Sequence, residues 1–124
     1  MSAYSTTMNR TSKPFNPLLS ETYECIRPDR GEGWKGYAEQ VTHHPPVSAV
    51  YAEGNGGWTY EMTADAESAF KGTSLEVYPK GVSSVGFPAY NDRVTWIKIT
   101  TCVRNIVVGK MWVDNVWGLL FVLS

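Results

Sequence analysis

The sequence predicts a mainly β protein built as an antiparallel meander. Trp58, Tyr60 and Met62 alternate with threonine and glutamate, which is the pattern of a half-buried strand. The run GNGG at 54–57 predicts a hairpin turn between this strand and a preceding strand over 47–53. Further strands follow at short spacing, punctuated by turn residues, and this organisation favours a sheet that belongs to a sandwich or barrel.

Other segments show the alternation or the β-branched composition of strands. The predicted strands are 37–44, 75–78 before Pro79, two strands within 94–108 that meet at a turn or bulge near Arg104 and Asn105, and 110–114. Within 37–44, odd-numbered residues are expected on one face and even-numbered residues on the other, because strand side chains alternate. Only residues 1–9 hint at a helix.

Composition excludes several classes of protein. The chain has 124 residues and a mass of 13.8 kDa, which by length is one domain. A net charge of −1 provides no basic field for nucleic acid. The hydrophobic content of 43%, with five tryptophans and seven tyrosines, argues against disorder.

Neither end of the sequence indicates secretion or a membrane span. Residues 1–10 contain no apolar stretch, so no signal peptide is expected. The apolar run 116–123 is far shorter than the ~20 residues that a spanning helix needs. Cys25 and Cys102 define no disulfide framework and are interpreted as reduced thiols of a cytosolic protein.

The run EQVTHHPP at 39–46 is the most informative feature. The proline after His44 disfavours helix at that residue, and two prolines cannot continue a regular hydrogen-bonded ladder. Side chains at such a strand end can depart from alternation, so both imidazoles could turn toward one point. Two charged imidazoles offer four N–H donors, and histidine carries charge near neutral pH. The pair therefore suits recognition of an anion such as a phosphate monoester, without catalysis.

Other interpretations of the histidine pair are possible. On its own, such a pair is more often a surface or turn feature. A zinc site needs three or four ligands, and Cys25 and Cys102 stand at no metal-like spacing from the histidines. A nucleophilic cysteine paired with His43 is formally possible, but the chain has no GxSxG elbow, Walker loop or CxxC motif. We therefore expect no enzyme, no metal and no cofactor.

Two segments identify a family resemblance. Residues 13–24 read KPFNPLLSETYE and residues 39–48 read EQVTHHPPVS. Both resemble signature stretches of the oxysterol-binding-protein-related family of lipid-transfer proteins, which carries EQVSHHPP after a KPFNPLLGETYE-like segment. Residues 96–114 resemble a later stretch, and the resemblance covers roughly residues 3–114. Shorter stretches that also resemble the family are 4–7, 10–13, 55–59 and 70–72.

The chain departs from the family pattern at three places. Ser20 stands where the family usually has glycine, which adopts positive φ or permits close approach more easily than serine. Thr42 replaces serine but keeps the hydroxyl and suits a strand. The tail 115–124 does not resemble the family. We accordingly divide the chain into a partial lipid-binding domain over 1–114 and a divergent tail over 115–124.

The resemblance implies an architecture. The family's lipid-binding domain is a large, incomplete antiparallel β-barrel around a hydrophobic tunnel, with a lid segment at its N-terminal end. This chain is much shorter, so it is expected to be one part of such a barrel, a fragment or a truncated product. An open sheet with unpaired edges is an aggregation liability, and the chain alone is expected to be poorly soluble or oligomeric.

The resemblance also implies site residues. His43 and His44 match the family histidines that hold the phosphate on the inositol ring of phosphatidylinositol 4-phosphate. Lys13 and Asn16 match the lysine and asparagine of the segment that contacts the head group. Without the resemblance, Lys13 would be taken as a solvated lysine and Asn16 as a turn residue before Pro17.

The implied function is lipid binding and non-vesicular transfer of sterol, phosphatidylinositol 4-phosphate or both between membranes. The implied partners are phosphatidylinositol 4-phosphate, a sterol or another second lipid, and a transiently contacted membrane surface, with no nucleic acid. The implied location is the cytosol, peripheral at intracellular membranes. The alternative is a truncated β fragment that transfers no lipid and acts as a protein-interaction or structural module.

Overall fold

The computed structural model describes residues 15–116 and 121–123, and in this part of the chain the regular secondary structure is antiparallel strand apart from one short 3-10 turn. The predicted helix over 1–9 lies outside the described residues. The strands are β1 Thr22–Arg27, β2 Trp34–His43, β3 Pro46–Gly54, β4 Trp58–Ala64, β5 Ala66–Lys71, β6 Ser74–Pro79, β7 Val82–Phe87, β8 Asp92–Ile97, β9 Thr100–Arg104, β10 Trp112–Val116 and β11 Phe121–Leu123. A short 3-10 turn, Pro88–Tyr90, joins β7 to β8.

The strands form two antiparallel sheets, neither of them closed. The larger sheet has seven strands in the order β1-β2-β3-β4-β7-β8-β11, and the smaller has four in the order β10-β9-β6-β5. The chain meanders through β1 to β4, leaves for the smaller sheet at β5 and β6, and returns at β7 and β8. The predicted fold class, a mainly β antiparallel meander, is confirmed.

Cross-strand register gives the seven-stranded sheet one apolar face. Residues directly opposite each other on neighbouring strands share a face. One row across this face, from β1 to β8, is Tyr23, Ala38, Val50, Met62, Ser83 and Trp96. The next row on the same face is Cys25, Gly36, Ala52, Tyr60, Val85 and Val94. Among the described residues, Ala52 and Cys102 are the only buried hydrophobic side chains, so this part of the chain has a shallow core.

The opposite face of the same sheet carries charged and polar groups. Lys35 Nζ lies 2.7 Å from Glu53 Oε1, and the Tyr51 hydroxyl donates to Glu53 Oε2 at 2.8 Å. The hydrogen bond from Lys35, followed by that from Tyr51, holds the pKa of the Glu53 carboxyl below its usual value. Farther along, Arg93 Nη1 lies 3.1 Å from Glu61 Oε2. This pattern matches a sheet whose charged face meets water and whose other face packs against apolar groups.

The predicted hairpin at 54–57 is confirmed between β3 and β4. The Gly57 amide donates to the Gly54 carbonyl at 3.0 Å, and Gly57 has φ of +77°. A Cβ at Gly54 would lie 2.2 Å from Nε1 of Trp58, so this position needs glycine. The turn is therefore specified by backbone freedom and by the packing of one indole ring.

The predicted strands within 94–108 need correction. The segment does contain two strands, but β8 and β9 are separated at residues 98–99 and belong to different sheets. A turn does occur near Asn105, which has φ of +58°, but residues 106–108 form an exposed loop and not a strand. β-Branched composition alone does not distinguish a strand from an exposed apolar loop.

Alternation in β2 also holds for only part of its predicted length. Gln40 pairs with Ser48 and Thr42 pairs with Val47, so Val41 is an extra, bulged residue. Because Ser48 and Val47 face opposite sides of β3, Gln40 and Thr42 do too. The predicted grouping of even-numbered residues on one face is therefore wrong beyond Gln40.

Candidate functional site

The two histidines lie side by side at the turn between β2 and β3. His43 is the last residue of β2 and pairs with Pro46, the first residue of β3. The ring centroids of His43 and His44 are 4.4 Å apart, with the ring planes at 57°. Both side chains are exposed. The two rings therefore lie side by side, and their convergence on one ligand stays a prediction. We call this feature the histidine turn, residues 43–46.

Side-chain hydrogen bonds hold the histidine turn in shape. The Thr42 hydroxyl donates to the Pro45 carbonyl at 2.6 Å. The Gln40 amide donates to the Thr42 carbonyl at 2.9 Å, and the Gln40 side-chain oxygen accepts from the Ser48 hydroxyl. Gln40 is only 3% exposed, so its amide is a buried polar group with its partners satisfied. Because Pro45 and Pro46 have no backbone N–H to donate, these side-chain hydrogen bonds stabilise the turn instead.

Gln40, Thr42 and Ser48 are positioning residues that the sequence prediction did not include. The available signal was weak, because glutamine and threonine are common on exposed strands. A bulge at Val41 was also not predicted, although it is what brings the Gln40 amide to the Thr42 carbonyl. Bulges frequently redirect side chains beside functional sites.

The segment that contains Asn16 reaches the same end of the sheet. The Ser20 amide donates to the Gln40 carbonyl at 2.8 Å, and the Gln40 amide donates to the Glu21 carbonyl at 3.1 Å. The Leu18 amide is bound by Glu21 Oε2 at 2.7 Å. Asn16 is exposed and precedes these hydrogen-bonded residues in the chain. The backbone of Gln40 therefore joins the Asn16 segment to the strand that ends in the histidine turn.

Of the four predicted site residues, the structure places three. His43 and His44 are in contact range of each other, and Asn16 lies on the segment bound to β2. Lys13 lies outside the described residues. The role of all four in head-group binding stays a prediction.

Ser20 adopts the conformation for which a glycine is best suited. Its φ is +63°, in the left-handed region. A residue with a Cβ costs roughly 1–2 kcal/mol there. The left-handed backbone explains why a glycine suits this position, and serine adopts it at a cost in stability.

The alternative chemistries find no matching geometry in the described part of the chain. No group of three His, Cys, Asp or Glu side chains that could hold a metal occurs among the described residues. Cys25 pairs with Gly36, which at ~3.3 Å per residue is on the order of 20 Å along β2 from His43. Cys102 is buried in the smaller sheet. Neither thiol is placed to pair with a histidine.

An apolar groove lies on the inner face of the seven-stranded sheet. It is open on one side, has a volume of about 510 Å³, and spans β1 to β4. We call it the apolar groove, and its walls include Tyr23, Trp34, Ala38, Val50, Trp58 and Tyr60. Aromatic and aliphatic walls of this kind suit the hydrocarbon of a lipid better than a polar metabolite.

The open seven-stranded sheet thus carries an exposed histidine pair at the end of β2 and an apolar groove across β1 to β4. The family model described as "Oxysterol-binding protein" matches residues 1–119. The chain therefore belongs to the oxysterol-binding protein family. The match extends beyond residue 114, and the division into 1–114 and 115–124 stays a prediction.

Curated relatives share more than two fifths of the aligned residues. Oxysterol-binding protein-related protein 3 of Mus musculus is 44% identical over 116 residues, which cover 93% of this chain and 13% of the relative. Oxysterol-binding protein-related protein 7 of Homo sapiens is 43% identical over 116 residues, which again cover 93% of this chain and 13% of the relative. The chain thus spans about one eighth of the length of these relatives.

Solved structures of the same family have the same fold over this region. The Osh3 ORD of Saccharomyces cerevisiae in complex with PI(4)P matches with a TM-score of 0.86 and 32% identity, over 99% of this chain and 32% of that one. The Osh1 ORD domain in complex with ergosterol matches with a TM-score of 0.86 and 35% identity, over 98% of this chain and 29% of that one. The predicted fold, part of a larger barrel-like β domain, is confirmed.

In the described residues, none of the helices is both long and apolar enough to cross a bilayer.

Proposed function

We propose that this chain provides the head-group corner and part of the apolar wall of a domain that carries lipids between membranes without vesicles. PI(4)P would be held by His43 and His44, with Lys13 and Asn16 completing the contacts. The observation that carries the proposal is the pair of exposed imidazoles 4.4 Å apart at a turn held by Thr42.

The chemistry of the histidine turn suits a phosphate monoester. Such a group carries between one and two negative charges near pH 7 and presents three acceptor oxygens. Two imidazoles can donate to different oxygens of one phosphate, and charge-assisted hydrogen bonds are stronger than neutral ones. An amide at Asn16 can donate to an inositol hydroxyl and accept from another. The Osh3 ORD, at 32% identity, has a PI(4)P complex, which supports this choice of anion.

The apolar groove supports the hydrocarbon part of the proposal. Its aromatic walls fit a sterol or the acyl chains of another lipid, and the Osh1 ORD has an ergosterol complex. The groove is open, whereas sites for small ligands bury most of the ligand surface. We therefore expect that lipid extraction needs additional structure beyond these strands to enclose the hydrocarbon of the lipid. The 124 residues alone should then recognise a head group but not transfer lipid.

Binding and release of a lipid require no bond cleavage, so we propose a carrier and not an enzyme. A carrier of this kind works in the cytosol, peripheral at intracellular membranes, and it meets each membrane only transiently. No nucleic-acid partner is expected at a net charge of −1.

The decisive experiment compares the chain with its H43A/H44A double variant. Sedimentation with vesicles that contain either PI(4)P or phosphatidylinositol measures the part of binding that depends on the 4-phosphate. A charge-assisted hydrogen bond contributes about 1.5–3 kcal/mol, so losing two should weaken this preference by well over tenfold. Circular dichroism controls for the fold.

Equal preference for PI(4)P in the double variant and the original chain would overturn the head-group role. A folded chain with no preference for PI(4)P would instead favour the alternative, a β module that binds protein. Lipid transfer between vesicles is measured in a separate assay. A chain that moves PI(4)P or sterol between vesicles by itself would contradict the expectation that additional structure is needed to enclose the lipid.

A further inference from the structure

A second exposed apolar surface lies at the loop between β9 and β10, in the smaller sheet. Val107 is 64% exposed, Val108 is 78% exposed and Met111 is 63% exposed. We call this loop, residues 105–111, the hairpin tip. The histidine turn, by contrast, belongs to the seven-stranded sheet, so the hairpin tip is a separate feature of the fold.

The hairpin tip is held in a defined shape although its side chains are exposed. The Asn105 side-chain amide donates to the Lys110 carbonyl at 3.3 Å across the loop. The Ile106 amide donates to the Thr73 carbonyl at 3.1 Å, which fastens the loop to the turn between β5 and β6. The valines are thus presented outward by an ordered backbone.

Two cations lie at the hairpin tip: Arg104 directly before it and Lys110 within it. Arg104 and Trp112 pair across the hairpin, and the Arg104 guanidinium lies 5.4 Å from the centre of the Trp112 ring. Asp114 Oδ2 lies 3.7 Å from Arg104 Nε and offsets that charge. Lys110 is exposed, and within the described ranges no carboxylate lies in salt-bridge range of it. The base therefore retains a net positive charge.

We propose that the hairpin tip is a membrane-docking element that inserts into the surface of an anionic bilayer. Valine and methionine at the end of the loop match the hydrocarbon, tryptophan at the base matches the interface where indole rings concentrate, and the cations match lipid phosphates. The inference rests on the proposed function, since a lipid carrier must meet a membrane, and it names the surface that does so.

The arrangement favours a lipid surface over a protein groove or a second copy of the chain. The apolar residues protrude from the end of a hairpin instead of lying in a flat strip along a sheet. The cations at the base are complementary to anionic lipids and would repel the same base on a second copy.

The test uses vesicles of phosphatidylcholine and phosphatidylserine without PI(4)P, so that the histidine turn does not contribute. Binding by V107D/V108D should fall at least tenfold, because two apolar side chains that would be buried in hydrocarbon become charged. Binding by K110E should fall roughly fivefold and lose part of its salt dependence. The control is Y90D, which places an aspartate at a tyrosine that is 80% exposed in the 3-10 turn between β7 and β8, and it should bind as the unchanged chain does.

Insertion itself is measured by fluorescence quenching with lipids brominated on their acyl chains. Quenching that is present in the unchanged chain and absent in W112F assigns the contact to Trp112. Equal vesicle binding by V107D/V108D and the unchanged chain would overturn the proposal. So would a chain that ignores these vesicles but forms oligomers that V107D/V108D dissociates, because the tip would then be an interface between copies.

The double variant H43A/H44A separates this inference from the proposed function. It should keep its binding to vesicles without PI(4)P while losing its preference for PI(4)P. Loss of both together would mean that the two surfaces do not act separately, and the assignment of docking to the hairpin tip would be wrong.

Discussion

The two turns at the ends of β3 are built by opposite means. The glycine turn at 54–57 depends on backbone freedom, since Gly57 has positive φ and Gly54 lies under the Trp58 ring. The histidine turn has stiff prolines and is held by side chains, through the bonds from Thr42 and Gln40. A turn made only of backbone can connect two strands, but a turn that must present two imidazoles needs side-chain support.

The largest expected effect separates these two turns by function. H43A/H44A should weaken PI(4)P-dependent vesicle binding by well over tenfold, while its free energy of unfolding changes by no more than about 0.5 kcal/mol, as for exposed positions. Chemical denaturation followed by tryptophan fluorescence measures the second quantity. A large loss of stability would show that the histidines support the fold instead of a ligand.

The glycine turn should respond in the opposite way. Gly54→Ala forces Trp58 to move and should destabilise the chain by about 1–3 kcal/mol, with PI(4)P preference unchanged in the folded fraction. The control is Gly56→Ala in the same turn, where the close neighbour of a Cβ would be the flexible end of Glu32 and Trp58 would lie at an ordinary contact distance of 3.7 Å. Unfolding curves of the two variants that coincide would contradict the role of the indole ring.

Support for the histidine turn can be tested without touching a histidine. Thr42→Val removes the hydrogen bond to Pro45, which is worth about 0.5–1.5 kcal/mol, so PI(4)P-dependent binding should fall about two- to tenfold. Thr42→Ser keeps the hydroxyl and should retain binding. Equal affinities for the valine and serine variants would mean that the hydroxyl does not position the rings.

The Ser20 turn, which is bonded to β2 beside the histidine turn, should respond in stability alone. Ser20→Gly relieves a left-handed serine but makes the unfolded chain more flexible, so the net gain should be up to about 1 kcal/mol. The midpoint of denaturant unfolding checks this. Ser20→Ala keeps the Cβ and is the control, and a gain of the same size in that variant would exclude backbone strain as the cause.

The smallest expected effect is the loss of folding stability in acid that is due to Glu53, near the glycine turn at the end of β3. Because the pKa of Glu53 is lower in the folded chain than its ordinary value of 4.5, the Lys35 pair contributes stability above that pH and loses it as pH falls through the folded value. Glu53→Gln should therefore flatten the fall in stability below about pH 4.5. A pH profile of unfolding that is identical with and without Glu53 would show that the exposed pair contributes nothing measurable.

Parts of this protein are determined by local sequence, and these could be predicted. The hairpin at 54–57, the alternating strand after it and the adjacency of the two histidines follow from glycine freedom, period-two patterning and proline stiffness. Each of these features depends on residues within a few positions of one another.

Other features were decided only by tertiary structure. Whether β8 and β9 share a sheet depends on strand partners far along the chain, and residues 106–108 form an exposed loop whose Ile106 amide bonds to the distant Thr73. Gln40 is buried and bonded to Ser48 on the neighbouring strand, next to a bulge at Val41 that no local pattern marks. Local propensity specifies where the chain can turn, but long-range hydrogen bonds and burial decide which strands pair and which side chains are covered.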